Sequence, residues 1–151
     1  MIATDDGPGR HRAREAALQL LYRWEVGWAG TDADATDDLY WDEYPAPPGR
    51  RQFAGTLVKG TIEHLATIDP LLESNADHWR LNRMAVVDRL IMRMAVYEVV
   101  YTTTPKAVVI DEALELAKTF SGERAVSFIN GILDEVCRQV RERDGRLGPD
   151  G

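Results

Sequence analysis

Residues Arg83 to Tyr101 read RMAVVDRLIMRMAVYEVVY. Val86, Val87, Leu90, Ile91, Met94, Val96, Tyr97, Val99 and Val100 surround a helix axis instead of lining one stripe, the pattern of a helix buried on most sides. Arg93 and Glu98 sit on that helix, so each needs a charged or hydrogen-bonding partner inside the fold, and both are read as structural.

Working outward, the same helical period continues in both directions. Thr103-Thr104-Pro105 breaks the central helix, and Val109, Ala113, Leu116, Ala117 and Phe120 mark an amphipathic successor. Ser121, a candidate N-cap, and Gly122 separate it from a last helix striped by Val126, Ile129, Leu133, Val136 and Val140. Apolar spacing runs through Asn130-Gly131, which reads as a close approach of two helices at Gly131. Upstream, Phe53, Leu57, Ile62 and Leu65 predict a helix over 50–68, and Asp69-Pro70 offers an N-cap and first-turn proline for another. Ala13, Ala17, Leu20 and Trp24 define a first helix over 10–25, closed by Gly27. The Asp-, Gly- and Pro-containing stretch 30–49 reads as a connection, with a short helix around 37–44. The fold class is all-α: six or seven helices in a single compact helical domain over 10–143, with flexible tails at 1–9 and 144–151.

A chain of 151 residues with 44% apolar and 28% charged residues is ordinary for one globular domain. No apolar run is long enough to span a bilayer, and the acidic N-terminus lacks the pattern of a signal peptide, so a soluble, cytoplasmic protein with no membrane partner is expected. The single Cys137 offers no internal disulfide and no zinc cluster, and is read as a small core residue. A net charge of -7 argues against indiscriminate coating of nucleic acid, but the charge is uneven. Residues 10–24 carry a local +3, Arg10, Arg12, Arg14 and Arg23 against Glu15 alone, whereas 25–44 carry a local -7 with no Lys or Arg. That asymmetry points to a focused anion site.

Catalytic and metal motifs fail on inspection. GTLVKGT, residues 55–61, puts Lys59 before Gly60, out of register for a phosphate loop. His11, His64 and His78 lie in separate segments without metal-ligand spacing, and Asp111 with Glu115 reads as a solvated helix face. No catalytic residue, metal site or cofactor is expected, and the chain is not read as an enzyme.

The first helix carries the functional signal. His11, Arg14, Leu18 and Tyr22 follow at three- and four-residue steps, with Arg10 and Arg12 beside them, predicting a basic and aromatic stripe. Guanidinium groups bind phosphate oxygens, and a tyrosine ring stacks on an unpaired base, chemistry suited to single-stranded RNA. Positive charge at a helix N-terminus opposes the helix dipole, so the placement answers to something other than stability. A solvated basic surface is the plainer alternative.

Five segments, RHRAREAALQLLY (Arg10 to Tyr22), WRLNRM (Trp79 to Met84), DRLIMRMAVYE (Asp88 to Glu98), VIDEALELAKTF (Val109 to Phe120) and FINGILD (Phe128 to Asp134), resemble the NusB transcription antitermination family in order and spacing. The resemblance runs from about Arg10 to Val140. It implies two helical subdomains around a buried central helix and a non-catalytic activity: binding boxA RNA, especially of ribosomal RNA operons, together with NusE, a small-subunit ribosomal protein, in an RNA polymerase antitermination complex. It implies RNA contacts at Arg10, His11, Arg12, Arg14, Tyr22, Phe120 and Arg124. His11 stands where another arginine is common, and Arg124 where other members can carry an acidic residue. Asp88 and Arg83 fall on the partner side. Two alternatives stay open: a protein-interaction module or homodimer without RNA binding, and a detached RNA-binding domain of an RNA methyltransferase.

Overall fold

The computed structural model describes residues 8–27, 33–76 and 80–147, and these form seven α-helices and one 3-10 turn with no strand among the described residues. The chain divides into two compact units, Met1–His64 and Leu65–Gly151.

In the first unit, α1 (Pro8–Glu25) packs chiefly on α3 (Pro48–Glu63), and α2 (Ala33–Glu43) packs against both. Pro8 suits the first helical turn because its missing N–H has no intrahelical acceptor there. Gly27 ends the chain's first helical run at φ +84°, a left-handed conformation that favours glycine, and its N–H donates to the Trp24 carbonyl at 3.1 Å. The core of α1 is wider than one stripe: Ala13, Ala16, Ala17, Leu18, Leu20 and Leu21 are all buried. Of the buried residues on these two packed helices, Ala13 and Ala17 of α1 and Ala54 and Gly60 of α3 are small, and small residues let helix axes approach closely. Leu20, Leu21 and Leu57 fill the remaining space, each contributing about 1.5–3 kcal/mol by leaving water. From α2, Tyr40 and Trp41 are buried, and the Tyr40 hydroxyl donates to Gln19 Oε1 at 2.8 Å.

The second unit comprises α4 (Leu65–Glu73), the 3-10 turn Leu81–Arg83, α5 (Val86–Tyr101), α6 (Lys106–Phe120) and α7 (Glu123–Leu147). Helix α5 is its shared element, packing on α4, α6 and α7, and ten consecutive-to-near-consecutive residues from Arg89 to Val99 are buried on it. Its charged groups are withdrawn from solvent, and two of them have partners on neighbouring segments. Arg93 pairs with Asp69 of α4, Arg89 donates to the Leu81 carbonyl at 3.0 Å, and Glu98 is 1% exposed. The α7 stripe, including Ile129, Leu133, Val136 and Cys137, is buried, and Asn75 and Gln139 exchange amide hydrogen bonds at 3.1 and 3.3 Å.

Three sequence expectations are corrected here. The helix break falls at His64, not at Asp69-Pro70: Pro70 lies inside α4, where it forfeits one backbone bond, and the Asp69 carboxylate is engaged by Arg93 instead of capping a helix. Ser121 is not an N-cap, since its hydroxyl donates to Asp88 Oδ1 at 2.5 Å and Gly122 makes the turn at φ +143°. Gly131 is exposed, with no described residue within 4 Å of where a Cβ would stand, so it makes no close helix approach among the described residues; the neighbouring Ile129, Ile132 and Leu133 are buried. The tails expected at 1–9 and 144–151 lie largely outside the described residues, while 8–9 and 144–147 are helical.

Candidate nucleic-acid interface

In the first unit the site begins with the opening turns of α1, which contain no acidic residue in the first turn. Arg10 and Arg12 are exposed, and Tyr22 is 44% exposed three turns further on. His11 is half-buried, with Nε2 3.3 Å from Glu15 Oε2. The expected stripe is not continuous, because Arg14 is 1% and Leu18 3% exposed. Arg14 is therefore corrected from surface contact to interior residue: its guanidinium lies 5.2 Å from the centre of the Phe53 ring on α3. The small side chains of α1 bring α3 near enough to cover this face as well.

Arg10 lies over the same ring at 4.4 Å, so Phe53 holds two guanidinium groups by cation–π attraction. Beside it the first turns of α1 and α3 border a recess of about 580 Å³, lined by Gly9, Arg10, Arg50, Gln52, Phe53 and Thr56 among others, none of them acidic. Sequence reasoning gives Arg50 no role and names Phe53 only as an apolar position of its helix. A signal was present: both helices open on the same tripeptide, Pro8-Gly9-Arg10 and Pro48-Gly49-Arg50. The Nε of Arg50 is buried and has no hydrogen-bond partner among the described residues. Arg51 covers the Trp41 ring at 5.7 Å, and Arg23 pairs with Glu43 at 3.0 Å, so part of the acidic α2 is neutralised within the unit.

In the second unit, Phe120 closes α6 at 36% exposure and Arg124 is exposed in the first turn of α7. Arg83, Asp88 and Arg124, expected to serve two different partners, border one recess of about 300 Å³ together with Met84, Ala125 and Phe128. The Asp88 carboxylate is oriented by Ser121, leaving two guanidinium groups and one carboxylate on this rim. Phe120 does not line it.

The discarded motifs sit in unreactive places. Residues 55–61 run through the middle of α3 with Gly60 buried, and Asp111 and Glu115 lie exposed on α6. His78 lies outside the described residues. No group of three potential metal ligands occurs among the described residues, and none of their helices is long and apolar enough to cross a membrane.

A family model described as the NusB family matches residues 11–138. A protein of Solibacter usitatus named transcription antitermination protein NusB is 48% identical over 137 residues, covering 88% of this chain and 91% of the relative. Among solved structures, NusB of T. maritima superposes with a TM-score of 0.79 at 33% identity, covering 88% of this chain and 92% of that one. A chain from a structure described as antitermination factors NusB and NusE in complex with dsRNA superposes with a TM-score of 0.77 at 25% identity, covering 87% and 97%.

Proposed function

Because the chain belongs to the NusB family, we propose that it is a non-catalytic transcription antitermination factor that binds boxA RNA together with NusE and acts in the cytoplasm on RNA polymerase, above all at ribosomal RNA operons. The observation that carries this reading is the opening of α1, where Arg10 and Arg12 stand exposed with no carboxylate in the first turn. Such a surface attracts phosphates and gains affinity by releasing their counterions.

In this reading Arg10 and Arg12 contact the RNA backbone, Tyr22 stacks on an unpaired base, and Arg14 positions Phe53 and Arg10 from beneath. His11 contributes charge where it is protonated beside Glu15. Phe120 and Arg124 are further RNA contacts in this reading, while Asp88 and Arg83 meet NusE. The relatives' shared name and the described complex of NusB and NusE with dsRNA support the coarser reading, an antitermination factor that meets RNA and NusE.

A titration of short boxA-containing RNA, with and without NusE, tests the proposal. Submicromolar, salt-sensitive binding that NusE strengthens is expected. Equal affinity for a scrambled strand, or light scattering showing a dimer indifferent to RNA, would overturn it in favour of a protein-interaction module.

A further inference from the structure

We infer that the recess between the first turns of α1 and α3 is a seat for a backbone phosphate of the bound RNA, with Arg50 as its principal ligand. The inference rests on the RNA-binding reading and extends it to a second helix.

Arg10 lies on the Phe53 ring at 4.4 Å, which holds its guanidinium at the recess instead of letting it roam. Arg50 lines the same space, and its buried Nε–H has no acceptor among the described residues. Two guanidinium groups bordering one recess favour a phosphate oxygen as their shared acceptor, met by whichever of their N–H groups face the open space. The Gln52 amide adds a further donor, whereas the Thr56 hydroxyl is already given to the Gln52 carbonyl at 3.1 Å. No carboxylate lines the recess to repel an anion. Gly9 and Gly49 leave open space where side chains would stand, so the strand's approach is unobstructed. The Phe53 face is occupied by Arg10 and Arg14, which selects phosphate over a stacked base as the occupant.

The test uses the full chain and a fluorescent single-stranded boxA RNA, titrated at several salt concentrations. Arg50→Ala is expected to weaken binding about threefold to tenfold and to reduce the slope of log affinity against log salt by about 0.7, the loss of one phosphate contact. Gly49→Asp, which sets a carboxylate in the recess at a helix start that tolerates one, weakens binding further with unfolding unchanged. Arg138→Ala, which does not line the recess and is paired with Asp134 and Glu135 of its own helix, is the neutral control. The Arg50 side-chain N–H resonances followed during titration with inorganic phosphate should shift and saturate in wild type. If Arg50→Ala and Gly49→Asp bind like wild type while Arg12→Ala does not, the seat is refuted and the RNA reading survives. If wild type itself binds no RNA, the functional reading fails and the seat with it. A phosphate-dependent shift with no effect of Arg50→Ala on RNA marks an adventitious ion only, and also refutes the seat.

Discussion

Arg93 donates two parallel hydrogen bonds to Asp69, Nε to Oδ1 and Nη2 to Oδ2, each at 2.9 Å, and so clamps α5 to α4. The pair is mostly withdrawn from solvent, with side-chain exposures of 12% and 27%. Bidentate geometry and partial burial place it above an ordinary surface ion pair. Arg93→Met, which keeps the apolar stem, should lower stability by about 1.5–3 kcal/mol because it strands the Asp69 carboxylate. Urea unfolding checks this, with a reduced midpoint at unchanged slope expected; an unmoved midpoint means the clamp contributes nothing net.

Gly131 predicts a change of the opposite sign. It lies within α7, exposed, with nothing within 4 Å of where a Cβ would be. Alanine there restricts the unfolded chain and meets no neighbour, so Gly131→Ala should stabilise by about 0.5–1 kcal/mol. A fall in the thermal midpoint would mean that this face of α7 is covered in solution.

Two buried acids predict the alkaline limit of the fold. Burial pushes the Cys137 thiol above its ordinary 9.0, with Lys106 drawing it partly back, and burial likewise raises the Tyr40 hydroxyl above 10.0, against Arg23. The folded state thus holds both protons more tightly than the unfolded chain. The stability each contributes is fully present below its ordinary value and is lost as pH rises through its raised folded value. Denaturation midpoints measured from pH 8 to 11 should fall beginning near pH 9, and Cys137→Ala should delay that onset to about pH 10. An unchanged onset in the variant would exclude the thiol as the cause.

These features differ in how far the chain's local pattern announces them. The all-round apolar surface of Arg83 to Tyr101 announces a buried α5, and a buried Arg93 then demands an acid, which Asp69 supplies. That acid's identity is not local information, and the same Asp69 beside Pro70 imitates a helix start. On α1, periodicity locates Ala13, Ala17 and Leu20 in the core but says nothing about how close a neighbour comes. Alanines permit an approach that also covers Arg14 and Leu18, turning an expected contact into an interior one. The recess of Arg10 and Arg50 belongs to two segments distant in sequence, and only folding joins them. At Gly131 the period gives the helix correctly, while the missing side chain reflects solvent and not a partner.

The division between Arg12 and Arg14 gives the sharpest mutational contrast. Both lie in the opening of α1 and both are arginines, yet Arg12 is exposed and Arg14 is 1% exposed beside Phe53. Arg12→Ala removes a charge from the surface, so it should weaken RNA binding severalfold, most at low salt, and leave thermal unfolding unchanged. Arg14→Ala empties packed volume under the Phe53 ring and should cost about 1–3 kcal/mol of stability. Any loss of RNA affinity in Arg14→Ala then follows from a displaced Phe53 and Arg10, so it should persist at high salt where the Arg12 effect fades. Arg14→Lys separates charge from shape, because it keeps the charge while losing the planar group that lies against the ring. Stability lost and affinity impaired in Arg14→Lys, with Arg12→Lys close to wild type in both, is the expected outcome. Identical behaviour of the two positions in both measurements would mean that Arg14 reaches the RNA directly and that the face between α1 and α3 opens when the strand binds.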